Sequence, residues 1–221
     1  MKGKRCSCMR GRLMEFLILC SHELEVYPRV KYSALAIFAE RFYPSLSRLQ
    51  EENAHGSWLL HPMSESNLQL FALTSIWISS KFHGSPPLSV KHFKFLGDKY
   101  IKEQHFTTRD FKEAELILMQ VLDFSIGTLS IALVFLEELL DQLKGISLTG
   151  ECIKLEACCD IMDLLYEKEE TFDLFSSPRS LAASVLVAAY VITVPTQRWE
   201  FPVLPWDYAI NSEPSESVVL L

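Results

Sequence analysis

Wherever the chain carries apolar residues, it carries them at helical spacing. From Leu13 to Leu24 apolar positions alternate with polar breaks. From Val30 to Phe42 the face Leu35, Phe38, Ala39 and Phe42 recurs every three or four residues, the signature of an amphipathic helix. Pro44 has no N–H to donate and is expected to close that helix. The polar, broken run from Ser45 to Ser66 reads as a loop with at most a short helical turn. Leu68 to Phe82 is different. Leu68, Leu70, Phe71, Leu73, Ile76, Trp77 and Ile78 cover most of its circumference, and a helix apolar all round belongs inside a bundle. Ala72, Ser75 and Ser79 form a row of small side chains where a neighbour can come close, and Gly84, Pro86 and Pro87 end the run. Val90 to Tyr100 and Thr107 to Leu122 predict two more helices. The second opens with Thr107 and Asp110 at capping-box spacing and carries the stripe Phe111, Ala114, Leu118 and Leu122.

A further set of helices follows. Leu129, Leu133, Leu136, Leu140 and Leu143 make one stripe, and Cys152, Leu155, Cys159, Met162 and Tyr166 another. Ser177 before Pro178 marks the start of a helix rich in small and apolar residues that runs to Pro195. Leu68 and Leu181 thus open two strongly apolar helices at corresponding places of two halves, the pattern of a duplicated bundle. No run alternates with period two, so no strand competes and the fold is expected to be all-α. Beyond Pro195, Pro202, Pro205 and Pro214 argue against further long helices, and Trp199 and Trp206 are placed to lie across exposed helix faces. The first half spends five helices and the second about three.

Composition narrows the function. The chain has 221 residues, 49% hydrophobic and 22% charged, as in ordinary globular proteins. Its formal net charge is -7, with a basic start (Lys2, Lys4, Arg5, Arg10, Arg12) and an acidic stretch from Phe135 to Phe175. An acidic body disfavours broad contact with phosphate backbones, so no nucleic-acid partner is expected. The basic start reads as a tail leading into a core helix. Glu15 interrupts the apolar run, and "SHELE" stands where a secretory or transit signal needs small residues. Leu181 to Val194 is shorter than the ~20 apolar residues a bilayer demands, so no membrane partner is expected. The six cysteines include no C-x-x-C pair, and Cys152 and Cys159 fit small thiols on a helical stripe. His22, His55, His61, His83, His92 and His105 include no metal-binding pair at helical spacing. The glycines are scattered, and no serine or cysteine sits in a nucleophile context. No catalytic, cofactor-binding or metal-ligating residue is therefore assigned, and the chain is not expected to be an enzyme.

Two charges stand out. Lys81 ends the most apolar helix, and Glu115 falls squarely on the stripe between Phe111 and Leu118. Singly, Lys81 is a cation favoured by a helix C-terminus and Glu115 a boundary position. Together they predict a Lys–Glu pair at the edge of a core, placed to meet a partner's backbone.

Here the sequence resembles the cyclin family. "LQLFALTSIWISSKF" is similar to the third helix of a cyclin box and "EAELILMQVLDFSI" to the fifth. "MRGRLMEFL" from Met9 is similar to the opening helix and "AERF" from Ala39 to the second. The positions that mark the box fall on Arg10, Glu40, Leu70, Lys81 and Glu115, with Glu40 where the family usually has aspartate. "SPRSLAASVLVAAY" is similar to the third helix of the family's second repeat, and the brevity is most like the small plant J-type cyclins. The resemblance implies a five-helix cyclin box over residues 9–126, a partial second repeat over 127–206 and a disordered polar tail over 207–221. It implies an activating subunit of a cyclin-dependent protein kinase, nuclear and/or cytoplasmic, that needs no cofactor. Lys81, Phe82 and Glu115 would bind the kinase, and Arg10 and Glu40 would tie the first helix to the second. Met9, Leu13, Phe16 and Gln69 are a candidate docking groove for the kinase's substrates. Arg12 departs from the apolar residue usual there, and His83 and Gly84 replace acidic residues that often follow the lysine, which bears on kinase choice. Two other readings stand beside it. A transcription-factor-type adaptor of the same fold would need a basic face, which the acidic second half does not offer. A helical scaffold would have no kinase partner.

Overall fold

Apolar periodicity becomes helix throughout the computed structural model, which describes residues 3–51, 57–61, 63–83, 88–126 and 130–195. The elements are α1 (Gly3–Glu23), α2 (Pro28–Leu35), a π-helical segment (Ala36–Phe42), α3 (Tyr43–Glu51), α4 (Glu65–His83), α5 (Val90–Tyr100) and α6 (Thr108–Val121). They continue with α7 (Ala132–Ile146), a 3-10 turn (Leu148–Cys152), α8 (Leu155–Glu167), a second 3-10 turn (Phe172–Ser176) and α9 (Pro178–Thr193). No strand occurs among the described residues.

The all-round apolar run is the axis of the first half. Every residue of α4 from Ser66 to Ser80 except Gln69 is buried, with α1, α2, α5 and α6 packed around it. The hydroxyls of Thr74, Ser75, Ser79 and Ser80 are each satisfied by a backbone carbonyl. Ser79 donates to the Val30 carbonyl of α2 at 2.7 Å, while Thr74 and Ser75 bond back to Leu70 and Ala72. The row of small residues therefore lets α2 approach closely and leaves no buried hydroxyl unpaired there. The Thr107–Asp110 capping box forms as expected: Asp110 N–H donates to Thr107 Oγ1 at 3.3 Å and Thr107 N–H to Asp110 Oδ2 at 2.6 Å.

Three expectations are corrected. Helix α1 starts at Gly3, not Leu13, because its inward face begins with half-buried Met9 and buried Arg10, a cation that reads as polar in sequence. The helix through Phe42 does not stop at Pro44. The Ala36–Phe42 segment widens to π geometry, with the Tyr43 N–H bonding the Phe38 carbonyl, and α3 continues beyond it. A widened turn is where a proline without a donor, crowding the carbonyl before it, is accommodated inside a helix. The run after Pro44 is accordingly helical to Glu51, and Leu59 and Leu60 are buried in the core rather than looped out.

In the second half, α7 packs on α9, burying Leu133, Leu136, Leu140 and Leu143 as the stripe predicts; Leu129 lies outside the described residues. Gly150 is required by close approach, since a Cβ there would sit 2.7 Å from the Lys144 nitrogen. Helix α9 starts at Ser177–Pro178 as read, but Ser177 donates its hydroxyl to Ser180 Oγ at 3.0 Å and caps no backbone N–H. Helix α8 lies on α1 and α7 touches α2, so the two halves share a seam. Trp199, Trp206 and the 207–221 tail fall outside the described residues.

The seam is polar where it is most buried. Lys31 of α2, among the apolar neighbours Val30, Tyr32 and Ala34, donates to Asp163 Oδ2 of α8 at 2.8 Å. The Tyr32 hydroxyl lies 2.8 Å from Asp163 Oδ1 and 2.8 Å from the Cys159 carbonyl. Nearer solvent, Arg29 grips Glu137 Oε2 of α7 through Nε at 2.9 Å and Nη2 at 2.6 Å.

Candidate functional site

The last turn of α4 brings Lys81 out of the core. Its ammonium lies 3.7 Å above the ring of Trp77, one turn back, and bonds Glu115 Oε1 across the α4–α6 contact. Cation–π attraction below and a carboxylate beside it fix an otherwise flexible side chain. Glu115 is held on the other side by its helix, whose neighbours Phe111, Ala114 and Leu118 are buried. The side chains keep 37% and 25% of their surface, so the pair sits at the rim of the core. Lys81 has further protons to give, and Glu115 Oε2 is unbonded among the described residues. The pair can therefore donate and accept outward at once, which suits the C=O and N–H of a partner's backbone.

Exposed apolar residues stand next to both charges in the sequence and at the end of α6. Phe82 is 57% exposed, Leu116 beside Glu115 is 53% exposed, and Phe124 just past α6 is 63% exposed. Phe124 and Asp123 hold φ of 57° and 48°, left-handed values uncommon outside glycine. They close α6 with paired bonds, Phe124 N–H to the Met119 carbonyl and Asp123 N–H to that of Gln120. An aromatic in a strained turn, turned to solvent, is a feature that clusters at working surfaces. No sequence pattern picked out Leu116 or Phe124; the "DF" following the end of the stripe, with no glycine to stop the helix, was the available signal. His83 completes the turn, its pKa lowered by desolvation and then by the charge of Arg29.

Arg10 and Glu40 are brought to the seam but not into an ion pair. Glu40 instead accepts the Tyr166 hydroxyl of α8 at 2.8 Å. Arg10 is buried with its guanidinium 4.7 Å from the centre of the Phe172 ring, and neither Nη1 nor Nη2 has a hydrogen-bond partner. Burial lowers its pKa from the ordinary 12.5, offset first by the field of Glu169, with Glu40 contributing least. Burial likewise raises the Glu40 carboxyl, offset by the Tyr166 bond and then by Arg10 and Arg41. The expected tie between the first two helices is therefore made through α8: the intervening Tyr166 takes the carboxylate.

The candidate groove is largely closed. Leu13 and Phe16 are buried and Met9 and Gln69 half-buried. Arg12 crosses from α1 to α4, donating to Glu65 from Nε at 3.1 Å and Nη2 at 2.7 Å, one turn before Gln69. Among the described residues no group of His, Cys, Asp and Glu could hold a metal ion, and no helix is long and apolar enough to cross a membrane.

A fully buried helix ringed by neighbours, emerging as a lysine paired with a glutamate of a later helix, defines a class of regulatory fold, and the chain belongs to the cyclin family. The match to the cyclin N-terminal domain covers residues 4–127. The chain is 53% identical over 213 residues to Cyclin-J18 of Arabidopsis thaliana, covering 96% of this chain and 91% of that protein. It is 50% identical over 216 residues to Cyclin-J18-like of Oryza sativa subsp. japonica, covering 95% and 83%. A G2/mitotic-specific cyclin-B1 of Carassius auratus is 27% identical over 119 residues, covering 54% of this chain and 25% of that one. Cyclins are non-catalytic regulatory proteins, in keeping with a sequence that offers no catalytic constellation.

Proposed function

We propose that the chain is the activating subunit of a cyclin-dependent protein kinase, working in cell-cycle or related signalling in the nucleus and/or cytoplasm. The observation that carries this reading is the Lys81–Glu115 pair, held in place from within and hydrogen-bond-deficient outward. The kinase backbone would fill that deficiency, and Phe82, Leu116 and Phe124 would bury against it. The chain supplies no chemistry. It shifts the kinase towards its active arrangement by binding that arrangement better, and moving a 1:99 equilibrium to 99:1 needs about 5.5 kcal/mol of such preference. Met9, Leu13, Phe16 and Gln69 remain the candidate strip for kinase substrates, with the Arg12–Glu65 bridge across it weakening apolar docking there.

The test is phosphoryl transfer by purified cyclin-dependent kinases with and without the chain. A gain that disappears with Lys81→Ala plus Glu115→Ala supports the reading. No gain with any kinase of the class favours the scaffold, and salt-sensitive DNA binding without a gain favours the transcription-factor-type adaptor.

A further inference from the structure

Where the end of α1, the start of α2 and α8 meet, the seam holds a recess of about 200 Å³. That is below the ~300–1,000 Å³ of small-molecule sites, so it suits a single side chain of a larger partner. The turn between α1 and α2 shapes one wall. Val26 N–H bonds the Ser21 carbonyl at 3.2 Å and Glu25 N–H that of His22 at 3.0 Å. This closes α1 with Glu25 at a φ of 50°, where glycine is usual. Val26 and Pro28 of the turn, with Leu155 of α8, give the recess half-buried apolar walls. Cys159 and Lys31 line its buried part.

Three oxygen-bearing groups of this recess are unspent. Ser21, which lines it, is 1% exposed, and its Oγ has no hydrogen-bond partner among the described residues. The hydroxyls of Thr74, Ser75 and Ser80, equally buried, bond back to their own helix instead. A buried hydroxyl left unpaired costs stability until something enters to bond it. Glu156 and Asp160 stand one turn apart on α8, both exposed, and neither has an ion pair among the described residues. The other charges of the seam are matched. Lys31 bonds Asp163 at 2.8 Å, Arg29 bonds Glu137 at 2.6 Å, and His22 Nε2 lies 3.7 Å from Asp163 Oδ2. The cations of the recess are thus engaged with Asp163, while its two outer acids are free. A cation with several donors complements that balance. Arginine supplies it: its methylenes lie on Val26, Pro28 and Leu155, its fork bonds the two carboxylates, and a further N–H is left for the Ser21 hydroxyl. A lysine ammonium is a compact point charge without that fork. Tyr27, between the two wall residues of the turn and 67% exposed, offers apolar area to whatever flanks the arginine.

We propose that this recess docks an arginine of a partner protein's extended segment, held by Glu156 and Asp160 at the surface and by Ser21 within. It uses none of the residues assigned to kinase binding and does not depend on that reading. The full chain, labelled with 15N, is titrated with a capped peptide carrying arginine between two leucines, and the amide resonances of Ser21, Val26, Glu156 and Asp160 are followed. The same peptide with citrulline or with lysine at the centre, and capped arginine alone, serve as comparisons. The expected result is that the four amides shift along one saturating curve while that of Leu73 stays in place. Citrulline weakens binding about tenfold or more, as the loss of charge-assisted hydrogen bonds requires. Lysine and capped arginine alone bind more weakly than the arginine peptide. Glu156→Gln and Asp160→Asn each weaken the peptide, whereas Glu138→Gln, an exposed acid of α7 outside the recess, leaves its affinity unchanged. Ser21→Ala weakens the peptide yet raises the urea midpoint of the free chain, a combination that a serine with only a packing role does not give. The proposal is overturned if the four amides do not shift at millimolar peptide. Equal affinity for the arginine and lysine peptides, or a Glu138→Gln loss as large as that of Glu156→Gln, overturns it in favour of diffuse attraction to an acidic surface. Capped arginine binding as tightly as the peptide makes a small guanidine the occupant and overturns the partner segment. An unchanged affinity in Ser21→Ala removes the hydroxyl from the site and overturns the assignment.

Discussion

Helices α4 and α9 have the same kind of sequence and different surroundings. Both are rich in small and apolar residues, and each packs against at least two other helices of its half. Around α4, four helices close completely, and the only exposed stretch is the turn that carries Lys81, Phe82 and His83. Around α9, packing comes from α7, α8 and the 3-10 turn, and an outer strip of Val187, Val191 and Ile192 is bare among the described residues. An apolar circumference therefore does not by itself tell that a helix is surrounded on every side. Complete closure in the first half also explains why its site is sharp. A charged pair is fixed in place only when everything beneath it is immobile.

The largest effect is expected where the halves join. Asp163→Ala leaves Lys31 buried without its anion and should cost about 3–5 kcal/mol in urea unfolding. A loss under about 1 kcal/mol, the scale of an exposed pair, would show that the seam opens to water. Next comes the contrast between the helices. Leu73→Ala in α4, fully buried, should cost about 2–5 kcal/mol. Val191→Ala removes less apolar bulk from a half-exposed position and should cost clearly less; equal costs would erase the difference between the two regions.

A smaller effect is set by pH. The folded Glu40 carboxyl lies above its ordinary 4.5, burial being the main cause. Its contribution to stability is full below that value and is lost as pH rises through the folded pKa. Glu40→Gln should remove that downward slope, so that subtracting the variant's pH–stability curve from the parent's leaves a fall above pH 4.5; a flat difference would contradict the burial assigned to Glu40. Smallest of all is the thiol effect. Burial pushes Cys20 up to about 12 and Cys158 up to about 11 from 9.0. Folding should therefore lose stability only above about pH 9 through these groups, and iodoacetamide at pH 8 should label neither until the chain is unfolded, as read by mass spectrometry of the peptides.

Much of this was legible from spacing. The α4 run, the Thr107–Asp110 cap, the leucine stripe of α7 and the start of α9 all follow from local rules, because cap and stripe are satisfied within one helix. The Lys81–Glu115 contact was legible because each charge interrupts an apolar face. The same logic applies to Lys31, inside "VKYSALAIFA", and Asp163, four after Cys159 on the α8 stripe, yet that pair was not read. Its partners lie in different halves, and no periodicity links α2 to α8. Pro44 misled because a π turn is a tertiary accommodation without a sequence signature. The direct Arg10–Glu40 bridge failed for a related reason: Tyr166, far along the chain, competes for the carboxylate.

The pair at the end of α4 is rim-exposed, so removing it should cost the free chain under about 1 kcal/mol of stability while removing the anchor of the proposed kinase interface. Calorimetric titration of the full chain into a cyclin-dependent kinase that it activates, with the parent, Lys81→Ala, Glu115→Ala and the double variant, separates these. The expected result is a loss of about 2 kcal/mol or more in the double variant, roughly 30-fold in Kd, with single losses that do not add. Four equal affinities on equally stable chains would contradict the role given to Lys81 and Glu115.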